Sequence, residues 1–420
     1  MIRQFFRQAL TMMRQQRLFT GMYLLGTAVS IALAMILFII FYIKLGPIYP
    51  EYNRHRMLIV KDTKETVVNE ISTTTMSSNI SSKFASLIKK ECSAVEEIAL
   101  ATISKNVIVA GNSFIDNEWG YEVNSEFWKV FNFKFIDGRP FTEDEKSENV
   151  IIISQRLAHR LFAREDVVGE TVNADKLPCR VIGVVEQTSG CSSITPTNGN
   201  YWLPADPENG PREEEEITGD YEAYVTCTDR EKALAEIQDV FNRKTQTLPE
   251  GTTVTMEIKK FWQQALDSDE ETTLFEALAK YLYILLAFLF IPALNLSGMI
   301  SSRMDGRMEE IGIRKAYGAT DRQIVAQVLW ENLLLTTMGA VIGLILSYAV
   351  VCSCDSWITT FFDTDIRNIT NRTINVSMLF NPIVLGTTIC ITAVLNMTSA
   401  LVPTTIALRK NIIESLYCRR

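Results

Sequence analysis

The sequence predicts an α-helical membrane protein with four transmembrane helices and a large α+β extracytoplasmic domain inserted between helices 1 and 2. Three observations carry this reading. First, four uncharged runs, 18–43, 281–302, 332–354 and 373–408, reach the roughly 20 residues that crossing a bilayer takes. Second, charge is segregated. Residues 45–275 hold 24 Lys and Arg against 39 Asp and Glu, a net of −15, and the rest of the 420-residue chain holds 17 against 10, a net of +7. Third, the basic residues flank particular runs. Arg3, Arg7, Arg14 and Arg17 precede the first, Arg303, Arg307, Arg314, Lys315 and Arg322 separate the second from the third, and Arg409, Lys410, Arg419 and Arg420 follow the fourth. Between the third and fourth runs only Arg367 and Arg372 occur. Because cytoplasmic loops collect Lys and Arg, both termini are placed in the cytoplasm and residues 44–275 outside. The acidity of that outer part argues against nucleic acid as a partner, and membrane lipid is the partner of the spans.

Residues 1–17 are read as a cytoplasmic amphipathic helix. Ile2, Phe5, Phe6, Ala9, Leu10 and Met13 share one face, with Arg3, Arg7 and Arg14 opposite. Such a helix lies on the inner leaflet; a plain basic topogenic tail is the alternative. Transmembrane helix 1, 18–43, is too long for a signal-peptide core, and no small-residue cleavage site follows it.

In the outer domain, residues 57–60 and 95–102 read as strands around a helix at 81–91. The same grammar returns as a strand at 221–227, a helix at 229–244 and a strand at 253–258. Asp229 is placed to cap the second helix, whose buried stripe is Ala233, Leu234, Ile237, Val240 and Phe241. Two βαβ units therefore flank an inserted subdomain, about 104–218. In the insert, Asp137-Gly138-Arg139-Pro140-Phe141 is a turn, 150–153 and 180–185 are strands, and Ser154 caps a helix running to about Ala163. The acidic run 213–216 reads as a solvated surface. Of the outer cysteines, proximity favours a Cys179–Cys191 disulfide, with buried unpaired thiols as the alternative.

Transmembrane helix 2, 276–302, contains Pro292, which should kink it, and Asn295 one turn later, able to bond the freed carbonyls or another helix. Residues 303–322 form a short cytoplasmic segment. Glu310, Arg314 and Tyr317 recur at helical spacing, Gly318 stops that helix, and Thr320 with Gln323 matches a capping box for the next. Transmembrane helix 3, 323–354, carries Glu331, an acid read as a structural anchor and not as a proton relay. It also carries Gly339 and Gly343, a GxxxG face that either dimerises or packs inside the subunit, with dimerisation favoured. An outer loop at 355–375, transmembrane helix 4 at 376–408 and a cytoplasmic tail at 409–420 complete the chain.

Catalytic chemistry is not legible. The sequence lacks a Gly-x-x-x-x-Gly-Lys-Ser/Thr phosphate loop, and its two histidines, His55 and His159, have no metal-ligand spacing. A non-catalytic chain with no metal and no cofactor of its own is expected.

The run Glu310-Ile311-Gly312-Ile313-Arg314-Lys315-Ala316 with Gly318-Ala319 resembles the cytoplasmic coupling segment of FtsX/MacB-type ABC transporter permeases. In the outer domain, Asp137-Gly138-Arg139-Pro140-Phe141, Leu157-Ala158 with Leu161-Phe162, Val168-Gly169-Glu170 and Val181-Ile182-Gly183-Val184-Val185 follow in the order of MacB-type extracytoplasmic domains. The likeness is weakest over 45–100 and 186–220. Glu309 departs from it, since that place is commonly basic. The resemblance implies a permease subunit of the cell (inner) membrane that couples ATP hydrolysis by a separate ATPase subunit, which would bind the ATP and Mg2+, to movement of the outer domain. It assigns ATPase coupling to Glu310, Ile311, Gly312, Ile313, Arg314, Lys315, Tyr317 and Gly318. It further implies a second permease subunit, identical or not, and in some members a periplasmic adaptor and outer-membrane channel. Export of a drug or peptide, handling of a lipoprotein, and control of an extracytoplasmic partner by an FtsX-like signalling subunit all fit. An ATP-independent membrane receptor is the rival from another class, and a secondary transporter fits poorly with one intramembrane acid.

Overall fold

The computed structural model describes residues 17–68, 73–111, 113–188, 194–205, 217–268, 272–279, 281–284, 286–287, 290, 298, 308–353 and 382–409. The expectations for the N-terminal amphipathic helix, Pro292, Asn295, Cys191, the acidic run, the 355–375 loop and the C-terminal tail lie outside these residues. The chain divides into two compact units, one of residues 43–277 with 359–373 and one of residues 1–42, 278–358 and 374–420.

The first of these, read from the sequence as the outer domain and called the outer unit below, is built on a sheet of twelve strands among the described residues. Its strands β1 (Met57–Val68), β3 (Val95–Ala110), β11 (Glu222–Cys227) and β12 (Thr252–Lys260) lie in the order β12-β1-β11-β3. β11 is antiparallel to β1 and β3, and β12 is antiparallel to β1. The two βαβ units thus interleave as a split βαβ pair. Helices Ser82–Glu91 (α2) and Arg230–Thr245 (α5) share one core with this part of the sheet. Their caps follow the sequence. Ser81 accepts from the amide of Phe84, and Asp229 accepts from those of Glu231 and Lys232.

Alternation along each strand sorts side chains to the two faces. Leu58 and Val60 join Ile98, Leu100, Ala223 and Val225 under the helices. Met57, Ile59, Ala99, Ala101 and Tyr224 turn to a second core with Phe127, Phe131, Phe141, Trp202 and Phe261. A third core lies where β6 (Val150–Ser154) and β8 (Leu177–Val185) meet helix Gln155–Phe162 (α4).

The region read as an insert is joined to the rest through the sheet itself. β3 runs on for 16 residues and β4 (Ser113–Val123) returns beside it. β4 then leads through β9 (Tyr201–Pro204), β6 and β8 to β5 (Phe135–Gly138). A strand missed by the sequence reading, β2 (Thr73–Ile80), forms a hairpin with the distal half of β1. Both strands are polar there, so no apolar alternation marks them; backbone hydrogen bonds hold them.

Helices α1 (Arg17–Leu45), which lies in the second unit up to Tyr42, α8 (Asp321–Ser353) and α9 (Pro382–Arg409) contain segments long and apolar enough to cross a membrane, Thr20–Leu45, Asp321–Val351 and Leu385–Ile406. The GxxxG expectation is corrected here. A Cβ on Gly343 would come within 2.6 Å of the Ala28 carbonyl oxygen, and one on Gly339 within 2.9 Å of Thr27 Cβ. These glycines bring α8 against α1 of the same chain, since a missing Cβ lets backbones approach wherever the facing helix is small-sided. Polar side chains tie the same helices. Tyr23 Oη lies 3.3 Å from Thr336 Oγ1, and Asn396 Nδ2 donates to that oxygen at 3.1 Å.

Candidate functional site

The segment between the second and third predicted spans is the candidate site. Helix Met308–Ala316 (α7) ends at Gly318, whose φ of +89° is the left-handed conformation a glycine adopts without a Cβ penalty. The amide of Ala319 donates to the Arg314 carbonyl and that of Gly318 to the Lys315 carbonyl, a Schellman closure. Gln323 Oε1 accepts from the Thr320 amide at 3.0 Å, the reciprocal half of the expected capping box. A tight corner of known geometry therefore joins α7 to α8, and the Lys315–Asp321 ion pair at 2.7 Å bridges it.

The structure redistributes the roles within this segment. Ile311 is buried with Tyr23, Ile324 and Val328, and Gly312 is buried beside it. Ile311 and Gly312, which the resemblance assigns to ATPase coupling, are thus buried in this chain, because the apolar stripe of α7 is needed to seat it. Arg314 also turns inward. Its guanidinium pairs with Glu310 and donates to Gln327 Oε1 of α8, and Gln327 Nε2 donates to Glu331 at 3.0 Å. Glu331 is 2% exposed. The chain Glu310–Arg314–Gln327–Glu331 thus stitches the corner to the buried face of α8. Gln327 was missed in the sequence; its i, i+4 spacing to Glu331 is the signal that could have found it.

The outward face of α7 carries Ile313, Ala316 and Tyr317, all exposed, at the i, i+3, i+4 spacing of one helical side. Ile313 is 53% and Tyr317 90% exposed. An aromatic and a branched aliphatic side chain standing free on a rigid corner form a compact knob suited to a pocket on a partner.

The other singled-out residues are structural. Gly138 has φ +75°, and a Cβ there would sit 2.1 Å from the Ile182 carbonyl oxygen. Arg139 grips both oxygens of Glu145. That bond holds the Glu145 carboxyl down at about 2, from an ordinary 4.5. Cys179 is a buried thiol among apolar side chains of the third core, and Cys191, the partner expected for it, lies outside the described residues. Among the described residues no cluster of His, Cys, Asp or Glu is arranged to hold a metal.

Two family models match the chain. Residues 20–240, more than half of the chain, match the MacB-like periplasmic core domain, and residues 282–412 match the FtsX-like permease C-terminal domain. The macrolide export ATP-binding/permease protein MacB of Aggregatibacter actinomycetemcomitans is 27% identical over 277 residues, 64% of this chain and 41% of that protein. MacB of Neisseria gonorrhoeae (strain ATCC 700825 / FA 1090) is 27% identical over 256 residues, 57% of this chain and 36% of that protein. The matched part of this chain thus spans about two-fifths of the length of these relatives. The crystal structure of the periplasmic region of MacB from Actinobacillus actinomycetemcomitans aligns over 48% of this chain and 88% of that one, with 18% identity and a TM-score of 0.36. A MacB-like periplasmic core domain together with an FtsX-like permease domain defines a membrane permease. The chain belongs to the FtsX/MacB-type ABC transporter permeases.

Proposed function

We propose that this chain couples ATP hydrolysis in a separate ATPase subunit to movement of its outer domain, and so exports or handles an extracytoplasmic substrate such as a drug, peptide or lipoprotein. The observation that carries the proposal is the exposed Ile313–Tyr317 knob on a corner stitched into the helix bundle by Arg314. Such a corner receives a push without deforming. Relatives named as macrolide exporters support the export direction. In this reading four helices cross the inner membrane, both termini are cytoplasmic and residues 44–275 lie outside. ATP and Mg2+ belong to the ATPase, the permease works as a homo- or heterodimer, and an adaptor with an outer-membrane channel receives the substrate.

The test is co-purification of the ATPase subunit with full-length Ile313→Asp and Tyr317→Ala variants inserted in membranes. Both are expected to lose the ATPase while their thermal unfolding matches the parent. Retention of the ATPase by both would overturn the assignment of this face.

A further inference from the structure

A buried charge cluster lies within the unit of residues 43–277, where residues 43–46 end helix α1. The last carbonyls of a helix have no partners inside it. Here Arg54 supplies them: its Nη1 donates to the Ile43 carbonyl at 2.6 Å and the Gly46 carbonyl at 2.9 Å. Its Nε and Nη2 bind Glu51 Oε2 at 2.7 and 2.6 Å, and its guanidinium carbon lies 4.7 Å from the centre of the Phe261 ring. Glu51 Oε1 accepts from the hydroxyls of Thr195 and Thr197. Arg54 is 2% and Glu51 1% exposed.

The loop that carries the two threonines is itself fastened to the aromatic core. Trp202 Nε1 donates to the Pro196 carbonyl at 3.1 Å, and Tyr224 Oη donates to that of Ile194 at 3.0 Å. The connection after α1 is fastened too, since the Asn132 amide donates to the Pro50 carbonyl and Asn53 Nδ2 to that of Val130.

A buried ion pair is a poor way to gain stability, because desolvation offsets most of its attraction, and apolar residues of similar volume do as well. What directional bonds from one guanidinium add is a single permitted geometry. We propose that Glu51 and Arg54 are positioning residues: they lock the last turn of α1 to the sheet, so that displacement of α1 moves the outer unit as a rigid body. This rests on the coupling reading above and adds the residues that carry the movement into the outer unit.

The experiment uses the full-length chain in a cysteine-free background, in lipid, with its ATPase subunit. Spin labels at Lys44→Cys and Asp144→Cys report the joint. Energy transfer from an Asp144→Cys donor to acceptor-labelled lipid headgroups reports movement between nucleotide-free and ATP-trapped states. The parent is expected to give a narrow label distance and an ATP-dependent transfer change. Arg54→Met is expected to broaden the distance and lose the transfer change while ATP hydrolysis continues, and Arg54→Lys to restore both in part. A folded Arg54→Met chain with the parent's distance and full transfer change would overturn the proposal. If Arg54→Met does not fold, a Thr195→Val/Thr197→Val chain decides, because it keeps the ion pair and releases Glu51 from the loop; an unbroadened distance there overturns it. A parent with no ATP-dependent change would overturn the coupling reading itself, and this role for Arg54 with it.

Discussion

At the scale of single residues, Arg314 shows how identity and role can part. A basic residue in a short polar segment invites a docking role, yet its guanidinium is held between Glu310 and Gln327. Arg314→Glu would set a carboxylate beside Glu310 and near the Gln327–Glu331 bond. For a half-buried charged hydrogen bond we expect a cost of about 1–2 kcal/mol, seen as a lower unfolding temperature in detergent. An unfolding temperature equal to the parent's would return Arg314 to the surface role. Glu145 gives a pH test. Its carboxyl titrates at about 2 in the fold, against 4.5 unperturbed, chiefly through its bond to Arg139. A depressed carboxylate contributes stability above its unfolded value, and the contribution fades as pH falls from 4.5 towards 2. Glu145→Gln should therefore unfold more readily than the parent at neutral pH, by about 1 kcal/mol given the exposure of Arg139. The difference should shrink steadily below pH 4.5 and be gone near 2. An unchanging difference across that window, followed by denaturant unfolding, would remove the ion pair from the account.

At the scale of elements, the two glycines of α8 and the knob on α7 make opposite predictions. Gly343 meets the backbone of α1, which cannot yield as a side-chain tip can. Gly343→Leu should therefore cost about 1–3 kcal/mol by overpacking, read as destabilisation of the single chain in detergent unfolding. A variant that kept its stability and only lost dimers would restore the dimerisation reading. On α7, the Tyr317 ring has almost no intrachain burial. Tyr317→Ala should leave folding intact and weaken ATPase binding by about 2 kcal/mol, the size of a hot-spot truncation, measured by titrating the ATPase onto permease in nanodiscs.

At the scale of the whole molecule, topology is the decisive prediction. The Lys and Arg bias surrounds residues 44–275 only on flanks read as cytoplasmic. A Ser147→Cys label site in an otherwise cysteine-free chain should react with an impermeant reagent in intact cells or spheroplasts. Reaction only after lysis would invert the topology and remove the ATPase from the α7 corner. The sequence contains no phosphate loop, so the purified 420-residue chain should show no ATP turnover. Turnover abolished by a substitution in this chain would contradict the proposed coupling to a separate ATPase.

The sequence by itself determined what depends on composition and local chemistry. Charge segregation and apolar length marked the membrane helices and the acidic domain. Asp229, Ser154 and Gly318 marked helix ends because caps use only nearby backbone groups. Runs of consecutive apolar residues marked β6 and β8, because both of their faces meet cores. The tertiary structure decided what depends on which surfaces meet. It interleaved the two βαβ units and extended β1 and β3 past their apolar stretches, through pairing that leaves no pattern in side chains. It turned Ile311, Gly312 and Arg314 inward and left Ile313 and Tyr317 outside, because only the packed bundle determines which side of a short, evenly mixed helix is covered. It also set Arg54 on the last carbonyls of α1, where a buried ion pair holds its place through partners far away in the chain: Phe261 lies against Arg54, and Thr195 and Thr197 donate to Glu51.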